Sequence, residues 1–256
     1  MKLQQMLSRM RKADEEYKMI QKGDHVIVGL SGGKDSLAML TVLSHYKKYI
    51  RRDFELSAVT IDMGFLDTVK EEVDAQKAYV ASLDVPLHIE KTDIAQIIFE
   101  DRKEENPCSL CSKMRRGALN TKALELGGNK VALGHNLDDL VETFWLSFLY
   151  EGRLSTFAPI SYLDRTDISV IRPLLYVKER EIKWFSQDMP IVHNPCPANK
   201  KTQREVVKQM IYNLDDEIKG SMDRMFHAIV SPERYNLFDK YEKYKKGESN
   251  ITFDKE

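Results

Sequence analysis

Short apolar runs and amphipathic helical segments alternate along most of this chain. The runs are rich in β-branched residues, which is typical of strands buried on both faces. The pattern predicts strands at about residues 24–30, 54–62, 86–92, 130–135 and 168–174. Apolar residues at helical spacing predict helices at about residues 35–49, 68–83, 112–126, 138–150 and 178–189. This regular alternation predicts an α/β fold built on a doubly wound parallel sheet.

The two ends of the chain differ from this alternating pattern. Residues 1–22 predict an N-terminal amphipathic helix, residues 23–190 the α/β domain, and residues 191–256 a charged C-terminal helical region. A chain of 256 residues suits one large domain with a smaller appendage. The first residues lack the apolar core of a signal peptide, and no apolar run reaches the roughly 18 residues of a membrane span. We therefore expect a cytoplasmic protein without a membrane partner.

Charge and cysteine content narrow the chemistry. The formal net charge is -1, so a partner as acidic as tRNA would need a local basic face. The chain has three cysteines, and an odd number in a reducing compartment argues against a disulfide framework. A metal-binding or redox role is the remaining expectation for the cysteines.

A glycine-rich turn follows the first predicted strand, which ends at Leu30. Two glycines let the backbone approach a ligand closely, and the free N–H groups of the following helix favour an anion. Lys34 adds a positive charge, although the loop lacks the spacing of a Walker A motif. The candidate phosphate-binding residues here are Leu30, Ser31, Gly32, Gly33, Lys34, Asp35 and Ser36.

Polar residues also follow the second strand, at the same predicted edge of the sheet. Ligands of doubly wound sheets bind at the carboxyl ends of the strands. Asp62 is a candidate contact for ribose or Mg²⁺, and it is also a typical turn former. Met63 is a candidate for packing on adenine.

The fourth strand ends in Gly134-His135, and the next helix opens with Asp138-Asp139. We expect Gly134 to leave room for a ligand and His135 to contact phosphate or substrate. A carboxylate pair can hold Mg²⁺ or act as a base, but aspartate also caps helices well. We expect Asp138 to face the site as a catalytic residue and Asp139 to be the helix cap, with Asp139 retained as a candidate cofactor contact.

The cysteines are arranged as a Cys108-x-x-Cys111 pair and a distant Cys196. Three interpretations are open: a [4Fe–4S] cluster held by three thiolates, a zinc site completed by His193, or buried cysteines spaced by chance. A three-cysteine cluster leaves one iron without a protein ligand, where hydrosulfide or a substrate sulfur can bind.

These motifs together resemble a known enzyme group. The segment SGGKDS resembles the phosphate loop of the PP-loop N-type ATP pyrophosphatases. The segments CSLCSKMRRG, GHNLDD and IRPL resemble the TtcA family of tRNA 2-thiocytidine synthetases and, more distantly, the TtuA tRNA thiolases. The resemblance spans roughly residues 20–210 and implies an enzyme that adenylates the C2 oxygen of a tRNA pyrimidine, most simply cytidine, and replaces it with sulfur.

The resemblance also implies cofactors, partners and residue roles. ATP, Mg²⁺ and a [4Fe–4S] cluster would be the cofactors, with Cys108, Cys111 and Cys196 as cluster ligands. tRNA and a sulfur donor, either hydrosulfide or a cysteine desulfurase, would be the partners of a homodimer. Independently of the resemblance, we expect Lys34, Asp138 and Arg115 to be catalytic.

Two departures from the family pattern affect these roles. The family carries a second C-x-x-C late in the chain, whereas here only Cys196 is present. Arg115 stands where the TtuA thiolases have a lysine, and an arginine stays charged at pH 7, so we expect charge stabilisation rather than proton transfer.

Basic residues follow the cysteines in two runs, and they predict a tRNA-binding face or, alternatively, solvated helix surfaces. The runs are Lys113, Arg115, Arg116 and Lys122, then Lys200, Lys201, Arg204 and Lys208. A second enzyme hypothesis keeps the cluster but moves sulfur on a free base or another small molecule. A third hypothesis is a non-enzymatic cluster carrier or redox sensor.

Overall fold

The computed structural model describes residues 2–49, 53–102, 107–193, 196 and 203–235. The strands are β1 (His25–Gly29), β2 (Glu55–Asp62), β3 (Leu87–Lys91), β4 (Lys130–Ala132), β5 (Ile160–Leu163) and β6 (Ile168–Ile171). The helices are α1 (Leu3–Tyr17), α2 (Lys34–Tyr49), α3 (Lys70–Ser82), α4 (Pro107–Glu125), α5 (Leu137–Glu151), α6 (Glu179–Phe185), α7 (Gln203–Glu217) and α8 (Ser221–Val230).

The strands form one sheet in the order β3-β2-β1-β4-β6-β5. All neighbouring pairs are parallel except β5 and β6, which pair in antiparallel fashion. The predicted doubly wound α/β fold is therefore confirmed. The carboxyl ends of β1 and β4 are adjacent. The chain continues from β1 to β2 on one side of this pair and from β4 to β5 and β6 on the other side. Doubly wound sheets bind ligands at such a switch point.

Strand β5 and the end of β6 differ from the sequence-based prediction. The short β5 lies at the sheet edge and has no fully buried residue, so its apolar pattern is too weak to predict a strand. The predicted strand over 168–174 ends at Ile171, because Pro173 cannot donate a backbone hydrogen bond to a sheet ladder.

The main core lies between the sheet and helices α1 and α2. Val26 and Val28 of β1 are fully buried, as are Met6 and Met10 of α1. Asp14 fixes the end of α1, because its Oδ2 accepts a hydrogen bond of 2.7 Å from the Tyr46 hydroxyl. The N-terminal helix is thus an integral part of this core.

The C-terminal helices α7 and α8 pack on α5 in a second cluster. Val207 and Phe226 are buried there against Leu140 and Val141. The predicted domain boundary near residue 190 stays a prediction, and residues 236–256 lie outside the described part of the chain. Among the described residues, no helix has the length and apolar character needed to span a membrane.

Candidate active site

A cavity of about 930 Å³ opens at the carboxyl edge of the sheet, beside the switch point between β1 and β4. Its walls come from the ends of β1, β2 and β4, from α4, and from the β5–β6 hairpin. Eight of the residues predicted from sequence line it: Leu30, Ser31, Met63, Cys108, Cys111, Arg115, His135 and Cys196.

The phosphate loop forms one border of this cavity and is held by its own serines. The Ser36 Oγ accepts a hydrogen bond of 3.1 Å from the Ser31 N–H and donates one of 3.0 Å to the Gly33 carbonyl. Gly32 has a φ of 88°, and a Cβ there would lie 3.1 Å from the Cβ of Val192. Only glycine fits this position without strain, so the loop is preformed for a ligand.

Lys34 begins α2 and lies between two carboxylates. Its Nζ is 2.9 Å from Asp35 Oδ2 and 2.9 Å from Glu179 Oε1. Burial alone would lower the pKa of Lys34, but Asp35 and Glu179 outweigh burial and raise it. Asn136 donates a 3.3 Å hydrogen bond to the other oxygen of Asp35. The structure therefore holds a charged lysine at the N-terminus of α2, where an anion is favoured.

An ion-pair network extends from Lys34 towards the cavity. Glu179 Oε2 is 2.5 Å from Lys208 Nζ, and Lys208 lies 3.9 Å from Glu142 Oε1. Glu142 Oε2 is in turn 3.0 Å from Arg204, whose side chain lines the cavity. Burial raises the pKa of Glu142 to about 7. Burial would also raise the pKa of Glu179, but its hydrogen bonds with Lys208 and Lys34 lower it to about 2.

The two aspartates that open α5 both have structural partners. Asp139 and Asn136 form a reciprocal cap: the Asp139 N–H donates to Asn136 Oδ1 at 3.1 Å, and the Asn136 N–H donates to Asp139 Oδ2 at 3.0 Å. Asp138 accepts the Glu179 N–H at 2.7 Å and the Tyr212 hydroxyl at 3.4 Å. The Asp138 carboxylate thus binds the N-terminus of α6, and its catalytic role stays a prediction.

Asp62 also serves the backbone rather than the cavity. Its Oδ1 accepts N–H groups from Gly64 at 2.8 Å, Phe65 at 3.2 Å and Leu66 at 3.3 Å. This is the turn-forming alternative considered for Asp62, and it leaves the ribose or Mg²⁺ contact without support from the geometry. The adjacent Met63 does line the cavity.

Gly134 makes room for protein backbone. A Cβ at this position would lie 3.1 Å from the carbonyl carbon of Asp35 and 3.1 Å from the nitrogen of Ser36. The glycine therefore lets the end of β4 approach the start of α2, whereas we had expected the space to serve a ligand. This close approach brings His135 to the phosphate loop.

The paired cysteines lie inside α4, which begins at Pro107. The predicted start of this helix, after Cys111, was therefore wrong by about one turn. Proline is favoured at the first position of a helix, where its missing N–H costs nothing. Cys108 and Cys111 are therefore about one helical turn apart, on the same face. Cys111 Sγ lies 3.4 Å from the Met63 sulfur.

All three cysteines line the same cavity, and no disulfide joins them among the described residues. Burial raises the pKa of Cys111, Arg115 opposes that effect, and the nearby Cys196 and Cys108 add to it. In the described part of the chain, no three His, Cys, Asp or Glu side chains converge on one metal ion.

The zinc interpretation requires His193 as a fourth ligand beside the three cysteines, and His193 lies elsewhere. His193 Nδ1 lies 3.0 Å from Glu72 Oε1, and the His193 N–H donates to Glu72 Oε2 at 2.6 Å. His193 is not among the residues that line the cavity with the cysteines.

His135 lies in a strongly basic part of the cavity. Burial, followed by the nearby Arg172, Arg204 and Arg116, lowers the pKa of His135 to about 4, so its ring is neutral at pH 7. The ring lies 5.0 Å from that of Phe157, and the buried Nδ1 has no hydrogen-bond partner in the described ranges.

The predicted basic face is present in part. Lys113, Arg115, Arg116 and Arg204 line the cavity, whereas Lys122 pairs with Glu90 at 3.0 Å. Lys200 and Lys201 lie outside the described residues. Sequence reasoning did not identify Arg172 or Phe157 as site residues, although both line the cavity. The IRPL segment was the available signal for Arg172.

Comparison with known proteins places this geometry in a family. The PP-loop domain family matches residues 3–214. The tRNA-cytidine(32) 2-sulfurtransferase of Pseudomonas paraeruginosa is 39% identical, over 93% of this chain and 89% of that protein. The same enzyme from Nitrosomonas europaea is 37% identical, over 88% of this chain and 72% of its own.

Solved structures agree with this assignment. The U34-tRNA thiolase NcsA of Methanococcus maripaludis, solved with its [4Fe-4S] cluster, superimposes with a TM-score of 0.70 at 26% identity, over 87% of this chain and 76% of that one. The NH3-dependent NAD synthetase of Campylobacter jejuni shares the fold alone, with a TM-score of 0.52 at 15% identity, over 99% of this chain and 100% of that one. The chain therefore belongs to the PP-loop domain family and, within it, to the tRNA-cytidine 2-sulfurtransferases.

Proposed function

We propose that this protein is an ATP-dependent, [4Fe–4S]-dependent sulfurtransferase that replaces the C2 oxygen of cytidine 32 in tRNA by sulfur. One observation carries the proposal: the start of the phosphate loop, all three cysteines and several arginines line a single cavity of about 930 Å³. The names of the curated relatives support the substrate and the modified position. The cluster is supported by the cysteine arrangement and by its presence in the NcsA structure.

The first half of the reaction activates the base. The C2 oxygen attacks the α-phosphorus of ATP, the bond from that phosphorus to the bridging oxygen breaks, and pyrophosphate leaves. The backbone N–H groups at the start of α2 and the ammonium of Lys34 would stabilise the charge that develops on the phosphates. We assign Mg²⁺ to the ATP phosphates, because the carboxylates of Asp62 and Asp138 are already engaged by backbone N–H groups.

The second half of the reaction exchanges oxygen for sulfur. Cys108, Cys111 and Cys196 would hold a cluster that supplies an iron free to bind a sulfur donor. Sulfur at the oxidation level of hydrosulfide attacks C2, and AMP leaves with the former C2 oxygen. Arg115 lines the cavity next to Cys111, so its fixed positive charge is placed to stabilise the departing AMP. Neutral His135 can orient a substrate by hydrogen bonding.

Three further parts of the proposal rest on the family resemblance. Hydrosulfide, free or delivered by a cysteine desulfurase, would be the sulfur donor, and the tRNA substrate implies a cytoplasmic location. A homodimer is supported by the exposed apolar side chains of Phe148, Leu149 and Tyr150 at the end of α5, which a second subunit would cover. Light scattering of the purified protein tests the mass of the assembly.

The function is tested by reconstitution under anaerobic conditions. Cluster-loaded protein is incubated with unmodified tRNA, ATP, Mg²⁺ and sulfide, and the tRNA nucleosides are analysed by mass spectrometry. We expect 2-thiocytidine together with stoichiometric pyrophosphate. A tRNA with guanosine at position 32 is the matched substrate control and should remain unmodified. Pyrophosphate release that does not depend on RNA, with no thiolated nucleoside, would contradict the proposal and favour a small-molecule substrate.

A further inference from the structure

Arg172 is a buried cation whose hydrogen-bonding capacity is incompletely used. Its side chain follows β6 and lines the cavity, yet the residue is only 8% exposed. One terminal nitrogen donates to the Ala158 carbonyl and, at 3.1 Å, to the Ser161 hydroxyl. The buried Nε has no partner in the described ranges. The guanidinium lies 4.9 Å from the centre of the Phe157 ring, which fixes its plane.

A second arginine lies close enough to repel Arg172. Burial, with a contribution from the nearby charge of Arg116, lowers the pKa of Arg172 to about 10. Arg116 is exposed at the cavity and donates its Nε to the Ser112 carbonyl at 3.2 Å. Among the ion pairs of the described residues, none joins Arg116 or Arg172 to a carboxylate.

Arg204 also lines the cavity, but its charge is balanced by carboxylates. It pairs with Glu142 at 3.0 Å and with Asp139 at 3.3 Å. Two arginines without such partners, one of them buried, are costly unless an anion compensates their charge. Arginine is also the side chain whose planar fork best matches phosphate oxygens.

We propose that Arg172 and Arg116 form a phosphate-binding subsite that is distinct from the phosphate loop, an inference that rests on the proposed function. The subsite receives one phosphate group while the target base is at the cysteines. That group belongs either to the tRNA backbone beside the target nucleotide or to the nucleotide that activates the base. The guanidinium groups of Arg172 and Arg116, both of which line the cavity, donate to its oxygens.

The test compares arginine variants in two separate binding measurements. Arg172→Gln and Arg116→Gln remove one charge each, and Arg165→Gln is the matched control, an exposed arginine in the β5–β6 turn that does not line the cavity. The first arm measures tRNA affinity of the full-length protein without nucleotide over a salt series. The second arm measures the affinity of a non-hydrolysable ATP analogue and of pyrophosphate without tRNA.

We expect each cavity variant to lose about tenfold or more in affinity in one arm, as for a lost hydrogen bond to a charged group. A loss in the tRNA arm, with a salt slope reduced by about one, identifies a backbone phosphate. A loss in the nucleotide arm identifies a nucleotide phosphate. Affinities that match the Arg165→Gln control in both arms would overturn the proposal.

Two further measurements distinguish a loss of phosphate binding from misfolding of the variants and from failure of the proposed function. Arg172→Lys keeps the charge and should recover part of the lost affinity, and Arg116→Gln tests the subsite at an exposed position that folding does not require. Production of 2-thiocytidine by the wild-type protein is measured independently. Thiolation without an arginine effect refutes only the subsite, whereas an arginine effect without thiolation refutes only the proposed function.

Discussion

The ammonium of Lys34 lies 2.9 Å from the Oε1 of Glu179, which joins the phosphate loop to the N-terminus of α6. The contact links the nucleotide end of the sheet to the ion-pair network that ends at Arg204 in the cavity. Lys34 is therefore held in place before any ligand arrives, and its role can be separated from its contribution to folding.

Lys34→Met should reduce tRNA-dependent pyrophosphate release about 100-fold, the usual cost of removing one group that stabilises transition-state charge. The iron content should stay near that of the wild type, and the thermal stability should fall only modestly, because Glu179 loses Lys34 but keeps its contact with Lys208. Lys48→Met, an exposed lysine at the far end of α2, is the matched control. Pyrophosphate release is measured in a coupled assay, and unchanged turnover in Lys34→Met would refute the ATP assignment.

Replacing each cysteine separately should remove the cluster. Cys108→Ser, Cys111→Ser and Cys196→Ser are expected to purify anaerobically with little iron and weak visible absorbance, whereas the wild type should hold about four irons. Lys34→Met serves as the control that keeps its iron. Iron and zinc are both quantified, and wild-type protein with stoichiometric zinc and no iron would contradict the assignment.

The buried Glu142 and the half-buried Glu179 should affect the free energy of unfolding in different pH ranges. The pKa of Glu142 is raised from 4.5 to about 7, so its stabilising contribution is complete below pH 4.5 and is lost as the pH rises through 7. The pKa of Glu179 is lowered from 4.5 to about 2, so its contribution is present above pH 4.5 and is lost as the pH falls towards 2.

Chemical unfolding of Glu142→Gln and Glu179→Gln across this range tests both signs. Relative to wild type, Glu142→Gln should gain stability between pH 4.5 and pH 7, and Glu179→Gln should gain stability as the pH is lowered from 4.5 towards 2. The slope for one proton is at most about 1.4 kcal/mol per pH unit. Parallel stability curves for the three proteins would show that neither carboxylate is perturbed.

Gly134→Ala should weaken ATP binding without unfolding the protein. The added methyl group would press on the backbone of Asp35 and Ser36 at 3.1 Å and displace the start of α2. Gly117→Ala is the matched control, because a Cβ at that helical position has no atom within 4 Å. Calorimetric titration with an ATP analogue measures the effect, and equal affinities for the two variants would show that the contact is easily relaxed.

The fold could be predicted because its strands, helices and phosphate loop are each specified by residues that are close together in the sequence. The strand before Ser31 and the glycines after it are adjacent in the chain, so the phosphate loop and its place at the sheet edge could be inferred directly. Strand β5 was missed because a short edge strand buries too little to leave a pattern.

The site was less predictable, because its partners are distant in sequence. Nothing near Asp138 in the sequence indicates that its carboxylate binds the N-terminus of α6. The Glu179–Lys208 pair forms only when α6 packs on α2 and α7 packs on α5. Arg172 was visible within a family segment, but its unpaired state follows from the packing around Phe157. Spacing alone could not separate these structural and functional roles.

The strand order has a consequence for synthesis on the ribosome. β1 is made early, but its neighbour β4 is made much later, and Val192 contacts Gly32 later still. A nascent chain can pair β1 with β2, and β2 with β3, before β4 is available to pair with the other edge of β1. The residues that support the phosphate loop, in β4 and at Val192, are therefore made after the loop itself. A truncated product that ends before Val192 cannot form a complete nucleotide site.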